Sequence, residues 1–171
     1  MTKEVVVVQA ITENGQITEA EQFIVEEFKI YKKVSMSLGH VNFATPNENT
    51  TQLTEESVHQ LFGRDRIFDF PDDLITEIWS QHLTHVHIDS DGIWDETPVV
   101  QWHATSKNAL IYSAFPTATE YVFVVHEILK DFEANDEKGA HKFYTKDDIT
   151  IWLELAEWER DRYPSAEQVI I

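Results

Sequence analysis

Between Leu83 and Leu129 the chain carries four short apolar stretches, at 83–88, 99–104, 109–115 and 121–129, separated by polar turn sequences. Runs of this length, rich in Val, Ile, Tyr, Phe and Thr, predict strands, and their close succession predicts an antiparallel meander. The second and third are joined by Thr105-Ser-Lys-Asn108, whose small and polar residues suit a tight turn, so these two are expected to form a hairpin. The first stretch, Leu83-Thr-His-Val-His-Ile88, alternates. Strand geometry therefore puts His85 and His87 on one face, roughly 7 Å apart, with Val86 and Ile88 on the other. A polar, titratable face of this kind is either the solvated side of an ordinary sheet or a site.

The remaining elements frame the meander. Val5-Val-Val-Val8 followed by Asn14-Gly15 predicts a first strand and a turn. From Thr18, an N-cap residue type, the spacing of Phe23, Ile24, Phe28, Tyr31 and Val34 predicts an amphipathic helix ending near Ser37. Residues 39–57, rich in Asn, Thr, Pro and Gly, predict a loop insertion. Pro71 to Gln81 predicts a helix with Pro at its start, Asp72 and Asp73 in its first turn, and Leu74, Ile75, Ile78 and Trp79 on its buried side. Thr145 to Arg162 predicts a closing helix through Ile149, Trp152, Leu153, Leu155, Ala156 and Trp158. The order β-α-α-β-β-β-β-α defines an α+β class: a single domain over residues 1–171, with an antiparallel sheet and helices packed on one face.

Composition narrows function. A chain of 171 residues, 42% hydrophobic, can bury a core of its own. It contains no cysteine, which excludes disulfides and thiolate zinc sites. No apolar run approaches the roughly 20 residues of a membrane span, so a soluble cytoplasmic protein is expected. Thirteen Lys and Arg against 31 Asp and Glu give a net charge of −18, which repels phosphate backbones, and a nucleic-acid function must account for that number. The apolar tail Val169-Ile-Ile171 suits pairing with a sheet edge.

Strand parity selects the polar members of the outward face: His85, His87, Gln101, His103, Tyr112 and His126, bordered by Lys107 at the hairpin tip and by Arg64 and Arg66 at the Phe62-Gly-Arg-Asp65 turn. Arg64 either binds phosphate or pairs with Asp65 or Asp69. His103 and Lys107 either reach a phosphate or sit solvated on a turn. Trp102 and Trp152 occupy apolar positions and are expected in the core. A divalent metal site built from His85, His87 and a third donor among His82, His103, Asp89 and Asp91 is an alternative, because nitrogen and oxygen donors on adjacent strands can hold such an ion. A second alternative is an acidic protein that occupies the basic, nucleic-acid-binding surface of a partner, which the charge favours.

Six or more short pieces, in one order, resemble the YafO family of bacterial type II toxins. They are Ile17-Thr-Glu-Ala-Glu21 with Glu27-Phe-Lys-Ile-Tyr-Lys32, Phe62-Gly-Arg-Asp65, His85-Val-His-Ile88, the segment His103 to Tyr112, Ile128-Leu-Lys130, Ala140-His-Lys142 and Leu155-Ala-Glu157. The resemblance implies a RelE-like fold and a ribosome-dependent mRNA interferase restrained by a cognate antitoxin, with ribosome and mRNA as its other partners and no cofactor. The implied chemistry is metal-independent: a base takes the proton of a ribose 2′-hydroxyl, cations stabilise the phosphorane, and an acid protonates the leaving 5′-oxygen. Histidine, with an ordinary pKa of about 6.5, suits base or acid, and Arg and Lys suit the charge. His141 corresponds to the family's His after the last strand, with Lys142 beside it. His141, His103, Lys107 and Arg64 are thus the candidate catalytic residues, and His85, His87, Arg66, Lys142 and Tyr112 the candidate substrate-binding ones. The chain departs from expectation in its closing helix, where Glu154, Glu157, Glu159 and Asp161 outnumber Arg160 and Arg162.

Overall fold

Strands Glu4–Gln9 (β1), Phe62–Ile67 (β2), Thr84–Ile88 (β3), Asn108–Pro116 (β4) and Glu120–Leu129 (β5) form one sheet in the order β1-β5-β4-β3-β2. The computed structural model describes residues 3–11, 17–38, 50–89, 92, 94 and 99–167. The α+β class holds, but the sheet is mixed: β1 runs parallel to β5, while β2, β3, β4 and β5 pair antiparallel in turn. Sequence-local hairpin rules reach only neighbouring strands, and β1 and β5 lie at distant points of the chain.

Helices cover both faces rather than one. Helix α1, Glu19–Ser37, starts at a capping box in which Thr18 and Glu21 exchange side-chain to backbone bonds. It lays Ile24, Val25, Phe28 and Tyr31 on Val86, Leu110, Tyr112, Phe123 and Val125. Phe28 is completely buried, and a side chain of this type contributes about 2 kcal/mol by leaving water. A short helix, Thr50–Thr54 (α2), precedes β2. On the opposite face, Ile75–Gln81 (α3) and Lys146–Asp161 (α4) pack Ile78, Ile149, Trp152 and Leu153 on Ile111 and Leu129. The predicted helix at 71–81 begins as a 3₁₀ turn, Asp72–Leu74, and the predicted closing helix is α4, capped by Thr145.

Three expectations change. The segment Phe62 to Ile67, read as a turn, is the edge strand β2. The segment 99–104, read as a strand, contains the 3₁₀ turn Gln101–His103. Its inward anchor is Gln101, whose Nε2 donates to the Gly63 carbonyl at 2.9 Å and to the Tyr31 hydroxyl at 2.8 Å, so the segment crosses over β2 instead of pairing with β4. Gly63 makes this crossing possible, since a Cβ there would lie 2.1 Å from the Ala104 carbonyl oxygen. Lys107 is therefore not at a hairpin tip but on the connection into β4, held to the end of β3 by the Ser106 hydroxyl, which donates to the Ile88 carbonyl at 2.7 Å. Of the loop predicted at 39–57, residues 39–49 lie outside the described residues and Thr50–Thr54 is helical. The turn at Asn14-Gly15, Asp91 and the tail at Val169-Ile-Ile171 also lie outside them.

A bulge between Phe62 and Asp65 sets which side chains of β2 face which layer. Asp65 comes opposite Val86 and points toward α1, whereas Arg66 comes opposite His85 and points the other way. On the α1 side, Asp65 accepts from Lys32 Nζ at 2.6 Å, Tyr31 at 2.8 Å and Tyr112 at 2.6 Å, and Lys32 also reaches the Tyr112 hydroxyl at 2.8 Å. Gln52 clasps the Asp65 backbone at both N–H and carbonyl, each at 2.9 Å. The Lys32 ammonium sits within 6 Å of four aromatic rings, those of Phe28, Tyr31, Tyr112 and Phe123.

Candidate functional site

On the face opposite α1, at the β2–β3 end of the sheet, cations and imidazoles gather beside the layer made by α4, whose Trp152 stacks on Phe68 with ring centroids 6.0 Å apart. β3 supplies His85 and His87, with ring centroids 6.0 Å apart as same-face neighbours. β2 supplies Arg64 and Arg66. The Gln101–His103 turn slides Trp102 beneath both guanidiniums, at 4.7 Å for Arg64 and 5.9 Å for Arg66, and the Trp102 carbonyl accepts from Arg64 Nε at 2.5 Å. Trp102 is thus half-buried under the arginines rather than in the core, while Trp152 is buried as expected.

The third side of the cluster comes from the 3₁₀ turn Gly139–Phe143, which carries His141. Gly139 adopts a φ of 54°, and a Cβ there would meet Lys107 Cβ at 2.5 Å, so only glycine lets this turn seat against the β4 connection. Ala140 N–H completes the contact by donating to the Lys107 carbonyl at 2.8 Å. Tyr144 follows, and its ring stands between two imidazoles, 5.2 Å from His85 and 5.1 Å from His141. Phe68 closes the floor at 4.5 Å from His85.

The electrostatics follow from this crowding. Burial holds His85 well below the usual imidazole pKa, and the nearby positive groups His87, Arg66, His141 and Arg64 add to the effect. Burial takes His87 down to about 4, against an opposing hydrogen bond with the Ser106 backbone, whose N–H and carbonyl both lie 2.9 Å from His87 Nδ1. Both imidazoles are therefore neutral at pH 7. Burial, then the Arg66 charge, lowers Arg64 from its ordinary value without threatening its protonation. Burial raises the Tyr144 hydroxyl.

Three buried polar atoms in this cluster have no hydrogen-bond partner: Arg66 Nε, His85 Nδ1 and the Tyr144 hydroxyl. Such atoms cost about 1–3 kcal/mol each when left unpaired, and three of them occur in this one cluster.

Of the residues selected from sequence, His85, His87, Arg64, Arg66 and His141 come together, and Lys107 borders them through its backbone. His103 is exposed on the turn that carries Trp102. Lys142 is exposed and pairs with Asp136, beside the Phe132 and Phe143 rings. Tyr112 departs from the expected face: it is fully buried under α1, bonded to Asp65 and Lys32, because β4 turns it toward the side of Val86. Gln101 and His126 are likewise inward, the latter between the Ser113 hydroxyl at 2.8 Å and the Ala10 carbonyl at 2.9 Å. Sequence reading passed over Tyr144 and Ser106. The separation of His141 and Tyr144 by three residues, one turn of a 3₁₀ helix, is the signal that points to the first.

Among the described residues, which do not include Asp91, no group of three His, Asp or Glu side chains is arranged to hold a metal ion. No described helix is long and apolar enough to cross a membrane.

The fold and the cluster together define a small α+β protein with a cationic, imidazole-rich end to its sheet. The model of the family described as toxin YafO, type II toxin-antitoxin system, matches residues 40–157, well over half of the chain and all of the cluster just described. The chain belongs to that family, a class of toxins whose members have an antitoxin partner. No curated protein and no solved structure matches it.

Proposed function

We propose that this toxin is a metal-independent endoribonuclease that cleaves mRNA on the ribosome, with the Arg64, Arg66, His85, His87 and His141 cluster as its site. The supporting observation is that two guanidiniums and three imidazoles share one patch in which buried neutral imidazole nitrogens lie beside fixed positive charge. A neutral imidazole of the β3 pair takes the 2′-hydroxyl proton. The 2′-oxygen then attacks the adjacent phosphorus, Arg64 and Arg66 stabilise the dianionic phosphorane, and the phosphorus to 5′-oxygen bond breaks. His141, exposed at the rim, gives the leaving oxygen its proton. The products are a 2′,3′-cyclic phosphate and a 5′-hydroxyl. Bound phosphate partly offsets the arginine charges and raises the imidazole pKa values, so the base can retain its proton during bond cleavage.

The −18 charge fits a site that is cationic only locally and depends on the ribosome to present the RNA. A second reading, an acidic module that occupies a basic protein surface, draws on the groove of about 360 Å³ between α3 and α4, which Glu77, Glu154 and Glu157 line. One experiment separates the two. The purified chain is added to a bacterial translation extract, and new mRNA 5′ ends are mapped with and without ribosomes, beside His141→Ala. Discrete ribosome-dependent cuts that disappear in the variant support the nuclease. Translation arrest with no cuts at several-fold excess of folded protein over ribosomes supports the acidic module.

A further inference from the structure

Helix α1 has two apolar faces, and only one is used. Ile24, Val25, Phe28 and Tyr31 meet the sheet, whereas Phe23, Ile30, Val34 and Leu38 are 57%, 49%, 38% and 61% exposed. At 100° per residue these four fall within a stripe about 80° wide and about 23 Å long, with 4-3-4-4 spacing when Glu27 is counted in line. Singly scattered apolar side chains on a surface need no explanation, but an aligned row does. Among the described residues Ile151 and Trp158 of α4 are also exposed, but with Leu155 they make a shorter row, and Glu154 and Glu157 stand beside it.

The stripe runs into a groove of about 280 Å³ lined by Phe23, Glu27, His59, Leu61 and Asp89, where Glu27 pairs with His59 Nε2 at 2.7 Å. An apolar row that ends in an acidic groove fits an amphipathic segment with apolar anchors and basic flanks. A second copy of this chain fits poorly, because each copy brings a charge of −18. A toxin of this class has an antitoxin, and α1 lies before residue 40, where the family match begins. Toxin and antitoxin must pair privately, and an exposed apolar row beside an acidic groove is where such specificity can be written.

We propose that the outer stripe of α1 is the docking site for an amphipathic, basic-flanked segment of the cognate antitoxin. This goes beyond the nuclease reading and does not rest on it, because α1 covers the face of the sheet opposite the Arg64 and His85 cluster. Antitoxin bound there leaves the site itself uncovered, and inhibition needs a second part of the partner or exclusion from the ribosome.

The test uses the complex obtained by co-expressing the chain with the protein encoded beside it, with affinities measured by calorimetry. Ile30→Asp and Val34→Asp, both at exposed positions, are expected to weaken binding at least about 30-fold while leaving thermal unfolding and toxicity to cells unchanged. Trp158→Asp on α4 is expected to leave binding unchanged. The proposal is overturned if wild type binds no such partner, if the α1 variants keep their affinity within threefold, or if Trp158→Asp is the variant that loses it. A free chain that is dimeric by light scattering and becomes monomeric with Ile30→Asp would assign the stripe to a second copy and also overturn it.

Discussion

The two faces of the sheet bury the same kinds of side chain and treat them in opposite ways. Under α1, Lys32 and Asp65 are buried together, and every oxygen of Asp65 is engaged by Lys32, Tyr31, Tyr112 or Gln52. On the other face His85 and Tyr144 are also buried, and Arg66 is half-buried with its outer nitrogen paired to Asp69, yet each keeps a buried polar atom without a partner. One strand serves both: Asp65 points to the closed network, and Arg64 and Arg66, its immediate neighbours, border the open cluster. Burial of charge is thus not a mark of function by itself. Completeness of the hydrogen bonding is the difference between the closed network and the open cluster.

If that contrast is right, the two faces respond differently to substitution. Asp65→Ala strands the Lys32 ammonium in the core and is expected to cost about 3–5 kcal/mol in urea unfolding, with Lys32→Met/Asp65→Leu recovering part of the loss. Arg66→Gln, on the open face, is expected to lower RNA cleavage by about 10²–10³ while stability stays within about 0.5 kcal/mol. Equal stability losses from the two would erase the distinction. Gly63→Ala forces a Cβ toward the Ala104 carbonyl and is expected to cost about 1–3 kcal/mol, with a parallel loss of cleavage because Trp102 and the arginines shift together.

Acid sharpens the comparison further. The folded-state pKa of His87 is about 4, below the ordinary 6.5, so the unfolded chain binds the proton more readily. Stability from this group is therefore complete above about 6.5 and is lost as pH falls toward 4. His126, buried by Ser113 and Ala10, also stands at about 4, and its contribution runs in the same direction. His87→Gln is expected to flatten the dependence of unfolding free energy on pH between 4 and 6.5 by up to about 1.4 kcal/mol per pH unit. An unchanged slope would mean that His87 does not fold as the neutral species.

Local sequence made much of this legible. Thr18 and Thr145 mark the starts of α1 and α4, and the apolar runs locate β1, β3, β4 and β5. What escaped depends on contacts distant in sequence. Phe62-Gly-Arg-Asp-Arg-Ile67 carries three charges in six residues and looks like a turn. It is a strand because Lys32 neutralises Asp65 from α1 and Trp102 supports both arginines. Tyr112 was assigned to the polar face because a lone tyrosine in a strand gives no sign of which side holds its hydroxyl partner. His85 and His87 were legible as same-face neighbours from strand parity, and the resemblance singled out His141. Tyr144 was not, since its place depends on how the Gly139–Phe143 turn folds back on Lys107.

The most direct measurement of the central contrast is ribosome-dependent mRNA cleavage by Arg64→Gln/Arg66→Gln in a translation extract, read as new 5′ ends beside the variant's thermal unfolding. The account predicts that the cuts made by wild type vanish while the unfolding temperature stays within a few degrees. Cleavage at the wild-type level by a folded variant would contradict it, and would move the chemistry away from this end of the sheet.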